Sequence, residues 1–293
     1  MSQHPLIQTS SLELLADCRC DTGELPQWDA GRKQLIWSDI TGSTLYRWHQ
    51  VTGEWEKFYE GRLVGGITLQ TDDSLLLFGD RAIFRLRADG SEEVLVDDFD
   101  PATGRCNDTI ADPEGRVFFG TVGAGNSQTN GGLYRLDHDG FVTKITSGTG
   151  CANGMGFSPD ASLFYWSDST HQRVWAFDYH QATGNLEHQR LFLDLKGDIP
   201  DGMTVDVEGC LWIAFYLGSC VRRYSPEGEL LATLTVPTSR VTSCLFGGDA
   251  FRDLFVTTAG GKEDVAPAGG TFRARGVGQG LPEFRSHILL GER

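Results

Sequence analysis

Five polar residues stand just ahead of apolar, strand-like runs. They are Glu24 in Gly23-Glu24-Leu25-Pro26-Gln27-Trp28, Arg105 and Asn107 in Arg105-Cys106-Asn107-Asp108, Asn153 in Cys151-Ala152-Asn153-Gly154-Met155, and Asp201 in Ile199-Pro200-Asp201-Gly202-Met203. Carboxylates and an amide carbonyl are hard oxygen donors suited to a divalent cation, while a guanidinium and an amide can hold the oxygens of a polar substrate. Taken singly, each has an ordinary explanation, because Asn-Gly and Asp-Gly are common turns and Glu and Arg are usually solvated. Whether they act together depends on whether the fold gathers them.

Other chemistries leave no trace in the chain. There is no G-x-S-x-G elbow, no H-E-x-x-H, no Walker A loop and no G-x-G-x-x-G opening a helix. The glycine-dense stretch from Gly120 to Gly132 contains no Lys and precedes a strand-like run, which argues against a phosphate cradle. The seven histidines never fall at the spacing of zinc ligands, and the seven cysteines are scattered without a C-x-x-C pair. Cys18-Arg19-Cys20 reads as alternate faces of a strand.

The elements that must position the five residues form a repeat. Leu35-Ile36-Trp37-Ser38-Asp39, Leu75-Leu76-Leu77-Phe78-Gly79, Val117-Phe118-Phe119-Gly120-Thr121, Leu163-Phe164-Tyr165-Trp166-Ser167-Asp168, Leu211-Trp212-Ile213-Ala214 and Leu254-Phe255-Val256-Thr257-Thr258 begin 40, 42, 46, 48 and 43 positions apart. That period is the length of a four-stranded propeller blade. A second series of half-buried strands follows the first, represented by Leu45-Tyr46-Arg47 and Leu133-Tyr134-Arg135. Turn pairs such as Asp89-Gly90, Asp139-Gly140 and Thr183-Gly184 fall where hairpins must reverse. The reading is an all-β chain, one domain over residues 1–293, folded as a six-bladed β-propeller with four antiparallel strands per blade. Such a ring collects one polar residue per blade at one mouth of its central tunnel.

Composition narrows the partners. Lys plus Arg is 25 against Asp plus Glu at 40, a net charge of −15, with no basic run longer than two, so nucleic acid and anionic membrane surfaces are poor partners. No apolar run approaches 18 residues, and Met1-Ser2-Gln3-His4-Pro5 carries no basic leader pattern. The cysteines then read as mostly buried thiols in a reducing, cytoplasmic setting.

In order along the chain, Gly-Glu-x-Pro-x-Trp, Arg-x-Asn-Asp followed by Asp-Pro-x-Gly-Arg, Asn-Gly-x-x-x-Ser-Pro-Asp, and Pro-Asp-Gly-Met-x-x-Asp-x-Glu-Gly-x-Leu-Trp-x-Ala resemble the SMP-30/gluconolactonase, or regucalcin-like, family. The resemblance runs from about Leu14 to Phe272. It implies a six-bladed propeller with one divalent metal at a tunnel mouth, hydrolysing sugar lactones. It places the metal ligands on Glu24, Asn153 and Asp201, the water-activating carboxylate on Asp201, and the substrate-contacting pair on Arg105 and Asn107.

The residue chemistry is compatible with that assignment. Two carboxylates and an amide carbonyl make an all-oxygen site whose charge balances Ca²⁺, Mg²⁺ or Mn²⁺, with Zn²⁺ also accommodated. Three protein ligands leave positions open for water and substrate. Arg105 has a competing structural reading as the partner of Asp108 or Asp112. The chain departs from the family after Gly120-Thr121, where acidic residues are replaced by Val122-Gly123-Ala124-Gly125-Asn126. Fewer carboxylates there favour an anionic substrate, such as a uronate or aldarate lactone. The rival readings are a non-enzymatic calcium- or sugar-binding propeller and a hydrolase of another activated ester, such as a phosphotriester.

Overall fold

The apolar runs are continuous because both faces of each are buried. In the computed structural model, which describes residues 6–7, 12–260 and 267–289, Leu75 and Leu77 enter one apolar cluster while Leu76 and Phe78 enter the next. Leu211 and Ile213 likewise part from Trp212 and Ala214. Side chains alternate across a strand, so a strand between two neighbouring sheets needs apolar residues at every position. The stretch Met1–Pro5 lies outside the described residues.

Among the described residues the strands form six sheets, the blades of a six-bladed β-propeller. Blade 5 carries β1 (Leu6–Ile7) and blade 6 carries β2 (Leu12–Ala16). Blade 1 is β3 (Gly23–Asp29), β4 (Gln34–Asp39), β5 (Thr44–His49) and β6 (Trp55–Glu60). Blade 2 is β7 (Gly66–Leu69), β8 (Leu75–Phe78), β9 (Ile83–Leu86) and β10 (Glu92–Val96). Blade 3 is β11 (Cys106–Ala111), β12 (Val117–Thr121), β13 (Gly131–Leu136) and β14 (Val142–Thr149). Blade 4 is β15 (Ala152–Phe157), β16 (Leu163–Asp168), β17 (Arg173–His180) and β18 (Asn185–Asp194). Blade 5 adds β19 (Ile199–Val205), β20 (Leu211–Tyr216), β21 (Cys220–Tyr224) and β22 (Leu230–Thr235), and blade 6 adds β23 (Val241–Gly247), β24 (Asp253–Thr258) and β25 (Thr271–Arg275).

The two series read in the sequence are the second and third strands of each blade. The four main strands of each blade are antiparallel, and the described helical segments are two short 3₁₀ turns, at Ala124–Asn126 and Asp249–Phe251. Ring closure is by chain order. β2 pairs with β25, so the start and end of the propeller share blade 6, while β1 adds a parallel edge strand to β22 of blade 5.

Burial follows the radius. β15 and β23, next to the axis, are buried throughout, whereas β18 at the rim is largely exposed. Buried carboxylates brace the turns that join first and second strands. Asp112 accepts from Arg116 Nε at 2.6 Å and from the Tyr179 hydroxyl at 2.8 Å, linking blades 3 and 4. Asp206 accepts from Trp212 Nε1 at 2.9 Å and from Arg223 Nε at 2.8 Å.

The face formed by these turns is crossed by the C-terminal segment 276–289. Gly280 donates to Phe251 O of blade 6 and bridges Asp206 of blade 5, and Phe284 meets the Phe157 ring of blade 4 edge-on. Arg285 reaches Asp73 at 2.7 Å in blade 2 and Asp29 at 3.6 Å in blade 1, and His287 donates to Gly115 O of blade 3. One segment thereby touches every blade and lies across that end of the ring.

Candidate metal and substrate site

At the opposite end the innermost strands begin, and four of the five residues singled out in the sequence lie in them. Glu24, Asn107, Asn153 and Asp201 belong to β3, β11, β15 and β19. Asn153-Gly154 and Asp201-Gly202 are therefore strand residues and not turns. Each is found where the pairing with the second strand slips: between Glu24 and Gln27, Asn107 and Thr109, Ala152 and Met155, and Pro200 and Met203. A bulge leaves extra residues out of the ladder and re-aims a side chain. In β7 the pairing is regular and the chain there is Gly65-Gly66, so blade 2 sends no polar group inward from this position.

The glycines serve a close approach. A Cβ on Gly154 would lie 2.5 Å from the Asp201 carbonyl oxygen, and one on Gly202 would lie 2.1 Å from Ser243 Oγ. After Glu24 and Asn107 no glycine follows. Leu25 and Asp108 take the left-handed region themselves, at φ 58° and 59°. Such conformations in residues other than glycine mark places where surrounding structure enforces strain.

The structure brings Glu24, Asn153 and Asp201 together. Glu24 and Asp201 face each other as an interacting carboxyl pair, and the Asn153 amide lies beside Asp201. Two carboxyls in such contact share a proton. Burial pushes Glu24 well above the usual carboxylate range, helped by the charges of Asp201 and Asp108, and burial with Asp108 beside it pushes Asp201 up to about 8. The Asn153 amide is oriented by donation from Nδ2 to Ser169 Oγ at 3.2 Å, and Ser169 donates in turn to Pro200 O at 2.6 Å. That leaves Asn153 Oδ1 and Asp201 Oδ1 buried without a hydrogen-bond partner, although their residues are only 5% and 6% exposed. Orphaned buried acceptors are costly. Two of them beside a carboxyl pair fit a cation, which would satisfy both oxygens and neutralise the charge that burial opposes.

Arg105 lies beside this group. Its Nη1 donates to Asn107 Oδ1 at 2.7 Å and to Cys106 O at 3.0 Å. The reading of Arg105 as a partner of Asp112 fails because Asp112 is engaged with Arg116 and Tyr179, and Asp108 instead accepts from its neighbour Thr109 N at 2.7 Å. The loop Val122–Asn126 borders the same mouth, since Val122 donates to Arg105 O and bridges Cys151.

Three contributors were not singled out in the sequence. The Cys151 thiol contacts Nδ2 of both Asn107 and Asn153, at 3.9 and 3.8 Å, and burial pushes it up to about 12. Asp108, pushed up to about 7 by burial, and Glu283 of the C-terminal segment, pushed up to about 7 by burial and the Asp108 charge, line a cavity of ≈ 20 Å³ on the axis. That volume holds about one water molecule. The only hint was the position of Asp108 next to Asn107; Glu283 sits in a segment without periodicity.

Two other features lie elsewhere. A groove of ≈ 480 Å³ between blades 1 and 2 contains Arg32, Arg47 and Arg87, which pair with Asp29, Glu56 and Glu93. Asp206, Glu208 and Cys210 could approach one ion, but Asp206 is already committed to Trp212 and Arg223.

Residues 22–260 match the family model described as SMP-30/Gluconolactonase/LRE-like region. The chain is 40% identical over 290 residues to pentonolactonase XacC of Haloferax volcanii, covering 94% of this chain and 98% of that protein. A luciferin-regenerating enzyme superposes with a TM-score of 0.87 at 27% identity, over 94% of this chain and 99% of its own. A calcium-binding regucalcin from Agrobacterium tumefaciens superposes with a TM-score of 0.84 at 25% identity, over 92% and 97%.

Proposed function

The chain belongs to the SMP-30/gluconolactonase/LRE-like family, and from that premise we propose that it is a lactonase that opens a sugar lactone with one divalent cation held by Glu24, Asn153 and Asp201. The observation that carries the reading is the pair of buried, unpartnered oxygens, Asn153 Oδ1 and Asp201 Oδ1, on residues that interact with each other and, through Asp201, with the Glu24 carboxyl. The similarity to a pentonolactonase supports the substrate class, and that to a calcium-binding regucalcin supports a divalent ion.

When bound, the cation polarises the ester carbonyl and acidifies water. Asp201 takes the proton of the attacking water, because its free oxygen lies in a buried setting that raises its basicity. The C–O ester bond of the ring then breaks and the ring oxygen takes up a proton, giving the open-chain sugar acid. Arg105, held by Asn107, presents its guanidinium to ring or carboxylate oxygens, and Asn107 keeps capacity for a hydroxyl. The loop Val122–Asn126, without a carboxylate, borders the substrate and favours lactones that bear a second carboxylate, the urono- and aldarolactones. Seven free thiols fit a reducing compartment such as the cytoplasm.

The test is a pH-indicator assay over aldono-, urono- and aldarolactones with and without a chelator. Metal-dependent ring opening of at least one class is the expected result. Chelator-insensitive hydrolysis would remove the cation from the mechanism, and inertness toward the whole panel would remove the lactone.

A further inference from the structure

We propose that Cys18 and Cys20 are an oxidisable dithiol that closes to an intraloop disulfide by exchange with a small-molecule disulfide. The two residues follow the end of β2, and they do not occupy alternate faces of a strand as the sequence led us to expect. Arg19 between them is left-handed, with φ 51°, which folds the flanking residues to one side. Their sulfurs are 3.3 Å apart, with Cys20 donating to Cys18. No other pair of cysteines among the described residues makes a sulfur–sulfur hydrogen bond.

Cys18 Sγ accepts from Cys20 and also lies 3.3 Å from Gly269 O. Trp37 is fully buried and packs in one cluster with both cysteines, and its Nε1 makes no hydrogen bond. The Cys20 thiol and then the Trp37 N–H pull Cys18 below the ordinary thiol range against the effect of burial, while the shared proton and burial push Cys20 up. Cys18 is half-buried and Cys20 buried. This is the arrangement of an attacking thiolate with a resolving thiol behind it.

The exchange balances with one disulfide, RSSR. The Cys18 thiolate attacks one sulfur, the S–S bond breaks, and RS⁻ leaves with the proton that Cys18 has released to solvent. The Cys20 thiol then attacks Cys18 Sγ in the mixed disulfide, the second RS⁻ departs, and it takes the Cys20 proton. The protein loses two electrons and RSSR becomes two RSH.

Cys20 is tied at its backbone to Gly269 O and Gly260 N, and the residues after it lead directly into Glu24. Oxidation therefore acts on a loop that is continuous with the site.

Arg19 also supplies the test, because trypsin cuts between the two cysteines. The full chain is equilibrated in glutathione buffers of increasing oxidised fraction, quenched by alkylation and digested. The expected product is residues 1–19 linked to residues 20–32, released by reduction. In Cys20→Ser, Cys18 should stop at a single glutathione adduct. In Trp37→Phe, reaction of Cys18 with a chromogenic disulfide should slow by roughly threefold or more, the size of one modest hydrogen bond. Separate, fully alkylated peptides at every buffer ratio in which the wild-type chain stays folded would overturn the proposal. So would linkage of either cysteine to a different thiol, or a Trp37→Phe rate equal to that of the wild type.

Discussion

Asn107 donates from Nδ2 to the backbone oxygen of Ala152, 2.8 Å away, the residue directly before Asn153. A side chain assigned to substrate thus also ties blade 3 to the strand that carries a proposed metal ligand. Asn107→Ala should lower kcat/KM and also weaken metal binding by about 2- to 10-fold, the value of one net hydrogen bond. Arg105→Ala should lower kcat/KM by roughly 5- to 150-fold, most for lactones with a second carboxylate, and leave metal affinity unchanged. Calorimetry of the metal alone with matched kinetics on aldono- and uronolactones separates the two. Equal metal affinity in both variants would show that the Ala152 bond does not steer Asn153.

Removing a charge from the carboxyl pair should be far more damaging. Glu24→Gln and Asp201→Asn should each reduce turnover by at least about 100-fold, a barrier increase of roughly 2.7 kcal/mol, with loss of metal affinity. Wild-type turnover by chelator-treated Asp201→Asn protein would exclude Asp201 as ligand and base.

The raised carboxyl values set a pH dependence. Between the ordinary carboxylate value and about 8, metal-free folded protein keeps a proton on Asp201 that the unfolded chain has lost. Stability of the metal-free protein should therefore fall as pH rises through that window and level off above it. In the same window a cation must displace protons, so apparent metal affinity should rise with pH. Calorimetry in buffers of different ionisation enthalpy should detect about one or more protons released per cation at pH 6 and fewer at pH 9. Proton release that does not change with pH would contradict the assignment.

The Asp112 carboxylate, fully buried between Arg116 and Tyr179, should matter for stability alone. Asp112→Ala leaves a guanidinium without its partner and should cost about 3–5 kcal/mol. Denaturant unfolding is the measurement, and KM of the folded fraction should not move.

The fold itself should not require the metal. The six inter-blade clusters bury their apolar surface without it. Metal should raise the melting temperature only as ligand linkage demands, and circular dichroism should keep its β signal on chelation.

The blades were legible because each second strand is buried on both faces, which writes three or more apolar residues in a row at a fixed period. Glu24, Asn107, Asn153 and Asp201 were legible as types, but Asn153-Gly154 and Asp201-Gly202 look like turns because a bulged strand and a turn use the same residues. Asp108 was read only as a possible partner of Arg105, because its place in the cavity lining goes with a left-handed backbone that the letters do not show. Glu283 was invisible for a plainer reason: the segment that carries it pairs through scattered single contacts and leaves no periodic pattern. The Cys18–Cys20 contact likewise follows from the conformation of Arg19, which the letters do not encode.

The segment that ties all six blades together lies at the end of the ring away from Glu24, Asn153 and Asp201. In the proposed reading, cation, substrate and product all share the mouth that carries Glu24, Arg105, Asn153 and Asp201. A product that lingers at that shared mouth would then delay the next substrate, so product release is a step the C-terminal segment cannot relieve by offering contacts at the far end.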